Sequence, residues 1–460
     1  MTTMSNDAAA TKAGPNFMIY GPQKLPVEIQ DIIVDFLSSN RPALQALTLT
    51  NRHFRSLAQP KCLSKITLKI NTNLLKSVPD PISPRSFLDL LDTSPHIASY
   101  VRSISIIQPP CELPRPTLAA RATETKVIEE IMSRTHNIRD LCFPVSSYRD
   151  GALGFLPLWS TLEEGLRTLI AKFYQKKSTY PRTVDLRAFS YVPEQVLSSF
   201  RDIRNLHIAP LDIPTQAAVG TASQGNEAQP DTLNVLNTLE LCFYEDWNSW
   251  EPTLQFLRSP TSNFDLTRLG TLITSMFLTS AQLESILLLC SENLRHLVLQ
   301  TGPNINSLMF YNGGQEDRSY HMPPPDLANL KRLESLTIHG QLINLTHFRG
   351  RYTTPLPWIA NLLASLTKSP AFSDTFRSLH LELDLICIRS GGFGSLNWQE
   401  LVDTLCDNFH KSQMRNISFK FWHAIGTDSE ETALAHWQVE KINNDQLKHL
   451  QSVTGIVSIR

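Results

Sequence analysis

Long apolar runs are missing from this chain. No stretch approaches the roughly 18 apolar residues of a membrane-crossing helix, so no membrane partner is expected. A surplus of one charge is missing as well: 42 Lys and Arg face 43 Asp and Glu, for a net charge of −1. Proteins that grip phosphate backbones carry a basic surplus, so nucleic acid is not expected as the main partner. Cysteine pairs are missing too. Seven cysteines (Cys62, Cys111, Cys142, Cys242, Cys290, Cys387 and Cys406) are scattered, with no CxxC among them. Their odd number and wide spacing predict reduced thiols in place of a disulfide framework. The opening residues MTTMSNDAAATKAGPNF show no basic-then-apolar leader. A cytoplasmic or nuclear protein is expected, and the sequons at Asn344 and Asn416 are read as chance matches.

Recognisable chemistry is absent. There is no HExxH, no zinc-spaced Cys/His pair, no EF-hand loop and no GxSxG elbow. Ser390-Gly391-Gly392-Phe393-Gly394 is the one dense glycine cluster. It lacks the following Lys that a phosphate cradle needs, so it reads as a turn. His296, His339 and His380 fall on neighbouring expected strands, but at different registers relative to the inward aliphatics. They are read as surface or core-edge residues, with no metal ligand expected. The run KFYQKK at 172–177 mixes cations with aromatics and is placed on the solvated face of a helix. No catalytic residue and no cofactor is expected.

What is present begins at residues 25–68. Leu25-Pro26 leads into Ile29, Ile32, Ile33, Phe36 and Leu37, spaced for one face of a helix. Pro26 suits the first helical position. A second short helix carries Leu44, Leu47 and Leu49, and a third carries Phe54 and Leu57; Asn40 and Asn51 are candidate caps. So small a unit cannot bury this much apolar surface by itself. The segment resembles an F-box. The family pattern is met by Leu25-Pro26, Glu28, the Ile29-Ile32-Ile33 helix, Phe36-Leu37, Leu44-Leu47-Leu49 and Arg52-Phe54. It departs at Leu49-Thr50, where Val-Cys is usual, and at Phe54, where Trp is usual. The resemblance implies docking on a Skp1-type adaptor of a cullin-RING ubiquitin ligase. The implied docking residues are Leu25, Pro26, Glu28, Ile29, Ile32, Ile33, Phe36, Leu37, Leu44 and Leu47.

Beyond the F-box-like stretch one phrase recurs, a Leu-rich helix followed by a basic or polar residue and a short alternating strand. Its strands include Val101-Arg102-Ser103-Ile104-Ser105-Ile106, Ile203-Arg204-Asn205-Leu206-His207-Ile208 and Leu294-Arg295-His296-Leu297-Val298-Leu299. Others start at Ile138, Leu236, Leu333, Phe376 and Met414, with weaker copies near Val184, Leu269 and Val453. Intervals of roughly 25 to 45 residues mark a repeat architecture. Strands joined through helices give a parallel sheet with right-handed crossovers. The phrasing resembles a divergent leucine-rich repeat, as in the large fungal F-box family. Phe87-Leu88 with Leu90-Leu91, Ser94-Pro95-His96-Ile97, Leu269-Gly270-Thr271-Leu272 and Pro324-Pro325-Asp326-Leu327 carry it.

The expected fold class is therefore α/β. A disordered N-terminus (1–22) and a three-helix F-box (23–63) precede an irregular leucine-rich-repeat solenoid (64–460). A parallel sheet lines its concave side and helices lie outside. Loop insertions are expected at 215–232 and 311–325, and a shorter exposed loop at 350–357. Strand alternation turns Leu206, Ile208, Leu239, Leu297, Leu379 and Ile417 inward. It turns Val298, Thr337 and Ser418 outward, together with the target-binding candidates His207, Glu240, His380, Glu382, Lys420 and Trp422. For Trp422 two readings stand: an interface anchor, or a core residue at the end of the repeats. The expected function is the substrate-recognition adaptor of an SCF-type ligase, bound to a Skp1-type adaptor and cullin scaffold and holding an unknown protein target. The alternative is a repeat-domain scaffold without ligase coupling.

Overall fold

The computed structural model describes residues 25–69, 82–107, 118–143, 159, 162, 164–176, 180–187, 189, 191–209, 211–212, 233–242, 250–259, 262–274, 278–300, 323–345, 351–353, 355–387, 398–409, 412–423, 440, 447–454 and 457–459. The expectations for 1–22, 215–232, 311–322 and 390–394 lie outside these residues. Two compact units divide the chain, Met1–Ser64 and Lys65–Arg460. Among the described residues no helix is long and apolar enough to cross a membrane.

In the first unit, α1 (Val27–Phe36), α2 (Arg41–Thr48) and α3 (Arg52–Cys62) close on a small core. Val34, Leu44, Phe54, Ala58 and Cys62 form it, with Ile33, Leu37, Leu47, Leu57 and Leu63 packed around them. Asn40 Oδ1 accepts the Ala43 N–H at 3.1 Å, and Asn51 Oδ1 accepts the Phe54 N–H at 2.9 Å. Each asparagine satisfies a donor that the first helical turn leaves open. Pro26 is the N-cap of α1, one place earlier than expected, with φ −51° and ψ 147°. That extended ψ turns its carbonyl to accept the Ile29 and Gln30 N–H groups, each at 3.1 Å. Leu49 caps the end of α2 instead of belonging to it.

The second unit is built on β1 (Lys65–Lys69), β2 (Ser103–Ile107), β3 (Asp140–Cys142), β4 (Arg182–Leu186), β5 (Val192–Pro193), β6 (Ile203–Ile208), β7 (Leu211–Asp212), β8 (Asn234–Val235) and β9 (Thr238–Leu241). It continues with β10 (Phe264–Asp265), β11 (Thr271–Thr274), β12 (His296–Gln300), β13 (Ser335–Leu345), β14 (Arg351–Thr353), β15 (Ser378–Cys387), β16 (Asn416–His423) and β17 (Val457–Ile459). One sheet runs β1-β2-β3-β4-β6-β9-β11-β12-β13-β15-β16-β17, in chain order. All its neighbours along that path are parallel. Parallel neighbours need crossovers. Helices fill most of them: α4 (Pro84–Thr93), α5 (Leu118–Arg134), α6 (Glu164–Gln175), α7 (Glu194–Ser198), α8 (Trp250–Arg258) and α9 (Ser280–Cys290). After these come α10 (Leu356–Leu366), α11 (Pro370–Asp374), α12 (Gln399–Phe409) and α13 (Lys448–Thr454). Ser83, Thr279 and Ser369 cap α4, α9 and α11 with their hydroxyls. Neighbouring helices pack on one another, α4 on α5, α5 on α6, α10 on α12 and α12 on α13.

The strands are held in one register. Ile66, Ile104, Leu141, Val184, Leu206 and Leu239 lie side by side, and the row continues through Leu272, Leu297, Leu336, Leu379, Ile417 and Val457. From Ile66 to Ile417 each is at most 1% exposed. A backbone device recurs at the entry to the strands. The carbonyl before one strand accepts two successive N–H groups at the start of the next. Gly270 O takes Arg295 N and His296 N at 2.9 Å each, and Arg295 O takes Glu334 N at 2.7 Å and Ser335 N at 3.0 Å. Arg102, Asn237, Glu334 and Arg377 do the same for their successors.

Two expectations need correction. The segment 350–357 is not a plain loop: β14 pairs antiparallel with the end of β13, Tyr352 opposite Asn344, and Leu356 already starts α10. The physical reason is the length of β13, which runs on to Leu345 and offers backbone donors and acceptors to a returning strand. The run at 172–177, expected on the solvated face of a helix, turns Tyr174 inward. Tyr174 is fully buried and its hydroxyl donates toward the carbonyls of Leu141 at 2.9 Å and Thr183 at 3.1 Å.

Shortening the shared row opens a cavity in a close-packed layer. Leu272→Ala or Leu336→Ala is expected to cost about 2–5 kcal/mol in urea unfolding. Leu288→Ala, on an exposed part of α9, is expected to stay within about 0.5 kcal/mol.

Candidate functional site

The first unit divides its apolar residues between two faces. Ile33, Leu37 and Leu47 pack on the core, and Leu44 is 1% exposed. Ile32 and Phe36 remain 61% and 84% exposed, with Leu25 and Ile29 also open. The five apolar residues expected to share one face, Ile29, Ile32, Ile33, Phe36 and Leu37, therefore do not act as one face. Positions 30 and 34 point to the middle of the core, which leaves 29, 32 and 36 outside and 33 and 37 on the flank. Leu44 cannot touch a partner while the unit is folded. Gln30 Nε2 donates to the Leu25 carbonyl at 2.7 Å and fixes the start of the exposed edge. Lys61 Nζ meets Asp35 at 2.6 Å and ties α3 to α1. Pro26 and Glu28 are exposed at the same end. Val27 and Leu49 are exposed apolar residues as well, and they were not among the expected docking side chains. Leu25, Val27, Ile29, Ile32, Phe36 and Leu49 are the large apolar residues that this unit leaves exposed among its described residues.

The second unit presents the opposite face of its sheet, where alternate residues are polar and half-buried. His207, Glu240 and Asp185 lie in one register row with Cys142. His207 Nδ1 bonds a Glu240 carboxylate oxygen. Arg187, two residues on from Asp185, makes a bidentate pair with it at 2.9 and 2.8 Å and reaches Glu240 at 2.9 Å. Cys242 Sγ donates to Glu240 at 3.1 Å. Burial pushes the Glu240 carboxyl up. Hydrogen bonds from His207 and Cys242 and the Arg187 charge outweigh it and hold the group at about 2. Burial and the neighbouring carboxylates push the Cys142 thiol up to about 11.

A second polar cluster lies toward the end of the chain. His380 Nδ1 sits 2.6 Å from Ser418 Oγ, and His339 Nδ1 sits 3.2 Å from Glu382. Glu382 is opposite Lys420 in register, and Asp384 is opposite Trp422. Burial raises the Asp384 carboxyl, with His339 opposing and Glu382 adding to the rise. The Trp422 side chain lies outside the described residues. The target-binding candidates are thus not free outward side chains. His207, Glu240, His380 and Glu382 are half-buried and tied laterally to their neighbours, because parallel strands bring same-row residues close together. Arg187, Asp185 and His339 complete the clusters and were not among the candidates. The signal for Arg187 was its two-residue spacing from Asp185, which keeps both on one face.

Among the described residues no group of His, Cys, Asp and Glu is arranged to hold a metal ion. His296, His339 and His380 share the polar face but stand in three different rows. No protein-family model matches the chain, and no curated protein matches it.

The depressed Glu240 carboxyl sets a pH dependence. Its ionised form stabilises the fold above its ordinary 4.5, and that contribution is lost as pH falls toward about 2. Wild-type urea midpoints are expected to drop across that window. Glu240→Gln is expected to lower the midpoint at neutral pH and to flatten the drop; parallel curves for the two proteins would contradict this.

Proposed function

We propose that the chain is the substrate-recognition subunit of an SCF-type cullin-RING ubiquitin ligase. The first unit acts as an F-box that docks on a Skp1-type adaptor. The second acts as a leucine-rich-repeat-like solenoid that holds a protein to be ubiquitylated. The observation that carries the reading is the exposed strip of Leu25, just before α1, with Ile29, Ile32 and Phe36 on it, kept outside by a core that is already filled without it. Apolar side chains held rigidly outside a complete core cover a partner without refolding, which keeps the entropic cost of docking low. The order of the motif, from Leu25-Pro26 through Arg52-Phe54, selects the adaptor as that partner. The strand-by-strand succession of the second unit supports a repeat domain, and its polar face supports recognition through hydrogen bonds and charge. The ligase chemistry belongs to the partners, in the cytoplasm or nucleus, and no residue of this chain is assigned a catalytic role.

The test is capture by a purified Skp1-type adaptor. Wild type is expected to bind. Ile32→Asp/Phe36→Asp is expected to lose about 30-fold or more in affinity, the scale of removing central anchors, with an unchanged melting profile because both positions are exposed. Leu25→Ala/Pro26→Ala is expected to weaken capture as well. Equal capture of all three proteins, or none by wild type, would sink the proposal.

A further inference from the structure

The entry to the strands carries a regular feature that the backbone does not require. The device described above needs only a carbonyl before each strand, and Asn237, Gly270 and Glu334 supply it as well as any residue. Yet five consecutive strands of the sheet, β11, β12, β13, β15 and β16, are each entered through an arginine. Arg295, Arg377 and Arg415 stand immediately before β12, β15 and β16; Arg268 and Arg332 stand three places before β11 and β13. Neighbouring strands lie about 4.8 Å apart, so the series spans about 19 Å along one rim.

Part of this recurrence has a local cause. The helix preceding a strand ends at this rim, where its last carbonyls attract cations. Arg377 serves that role, donating to the Asp374 carbonyl at 3.1 Å. The others are less committed. Arg295 meets Glu334 at 3.4 Å, with both side chains largely exposed, a pair of little energetic weight. Arg332 reaches Asn293 at the outer limit of 3.5 Å. Arg268 and Arg415 are exposed and, among the described residues, make no side-chain hydrogen bond or ion pair. Lys331 adds a further cation beside them, 2.5 Å from Glu292. The carboxylates beside these residues are Asp265, Glu292, Glu334 and Asp374, four against six cations, on a chain whose overall charge is −1. Charge of one sign gathered on a near-neutral chain is a surface for the opposite sign.

We propose that this rim, from Arg268 to Arg415, is a docking surface for an acidic segment of a partner protein. Carboxylate side chains suit arginine forks, which bind them bidentately. A nucleic-acid strand fits less well. Among the described rim residues no exposed aromatic offers a base a stacking surface. The inference concerns Lys65–Arg460 alone and stands whether or not α1 binds an adaptor.

The experiment is fluorescence anisotropy on the full chain, with a labelled peptide of about ten glutamates and, separately, a single-stranded oligonucleotide of similar length. Saturable peptide binding is expected, weakening as salt rises past about 0.15 M, where charges beyond about 8 Å are screened. Arg268→Glu/Arg332→Glu/Arg415→Glu is expected to weaken it by about tenfold or more. A charge-matched control away from the rim, Arg85→Glu with Lys126→Glu and Lys448→Glu at exposed positions of α4, α5 and α13, is expected to leave it within about twofold. Thermal midpoints read alongside keep unfolding distinct from lost binding. Should the triple reversal unfold, Arg268→Gln/Arg415→Gln provides the milder comparison, with a loss of about threefold expected. Equal weakening by rim and control variants, an unchanged rim variant, no peptide binding at low salt, or tighter binding of the oligonucleotide would each overturn the proposal.

Discussion

One row of aliphatic side chains organises the second unit. Each strand of the main path from β1 to β16 contributes one residue to it, from Ile66 to Ile417, and the backbone register carries on to Val457 on β17. Each buried Leu, Ile or Val is worth about 1.5–3 kcal/mol against exposure, but the larger effect is on register. Moving one strand by a single residue would turn its aliphatics to the polar side and a Thr, His or Glu to the helices. The hydrophobic row and the shared carbonyl found at six of the strand entries therefore enforce the same alignment, one through side chains and the other through the backbone. Helices can pack in sequence on this sheet because the surface below them is continuous.

The same alignment governs the polar face. Once Val184, Leu206 and Leu239 share a row, Asp185, His207 and Glu240 must share the next. Three titratable side chains then stand within a few strands of one another, and Arg187 is what makes the arrangement tolerable. Removing it would leave two half-buried carboxylates facing each other with only a histidine and a thiol to answer them. The cluster is best understood as one unit, and substitutions within it are not expected to be additive.

Much of the fold was legible in the residues because the strand phrase repeats. The aliphatic, polar, aliphatic order identifies each strand by itself, and the helix before it implies a parallel neighbour. Three things were not legible. The lengths of β13, β15 and β16 exceed the phrase, since strands lengthen wherever a neighbour supplies bonds, and this also produced β14 from a stretch read as a loop. The split of the α1 face followed from Gln30 and Val34, which together set the direction of the core; a polar Gln gave no hint that it would lie inward. The lateral pairs of His207 with Glu240 and of His339 with Glu382 depend on register between strands far apart in the chain. Periodicity along a strand placed these residues on the correct face but is silent on what stands beside them.

The shared carbonyl at six of the strand entries has a consequence for how such a chain grows. Because each main-path strand from β11 to β16 takes its alignment afresh from the one before, the connection between two of them does not have to measure out the register by its length. A connector can be long in one place and short in another without disturbing the rows on either side. Duplication of a whole helix-and-strand unit would slot into the sheet as a further rung, and loss of one would let its neighbours close up. Variation in length, ruinous to most buried parallel sheets, is here a permitted change.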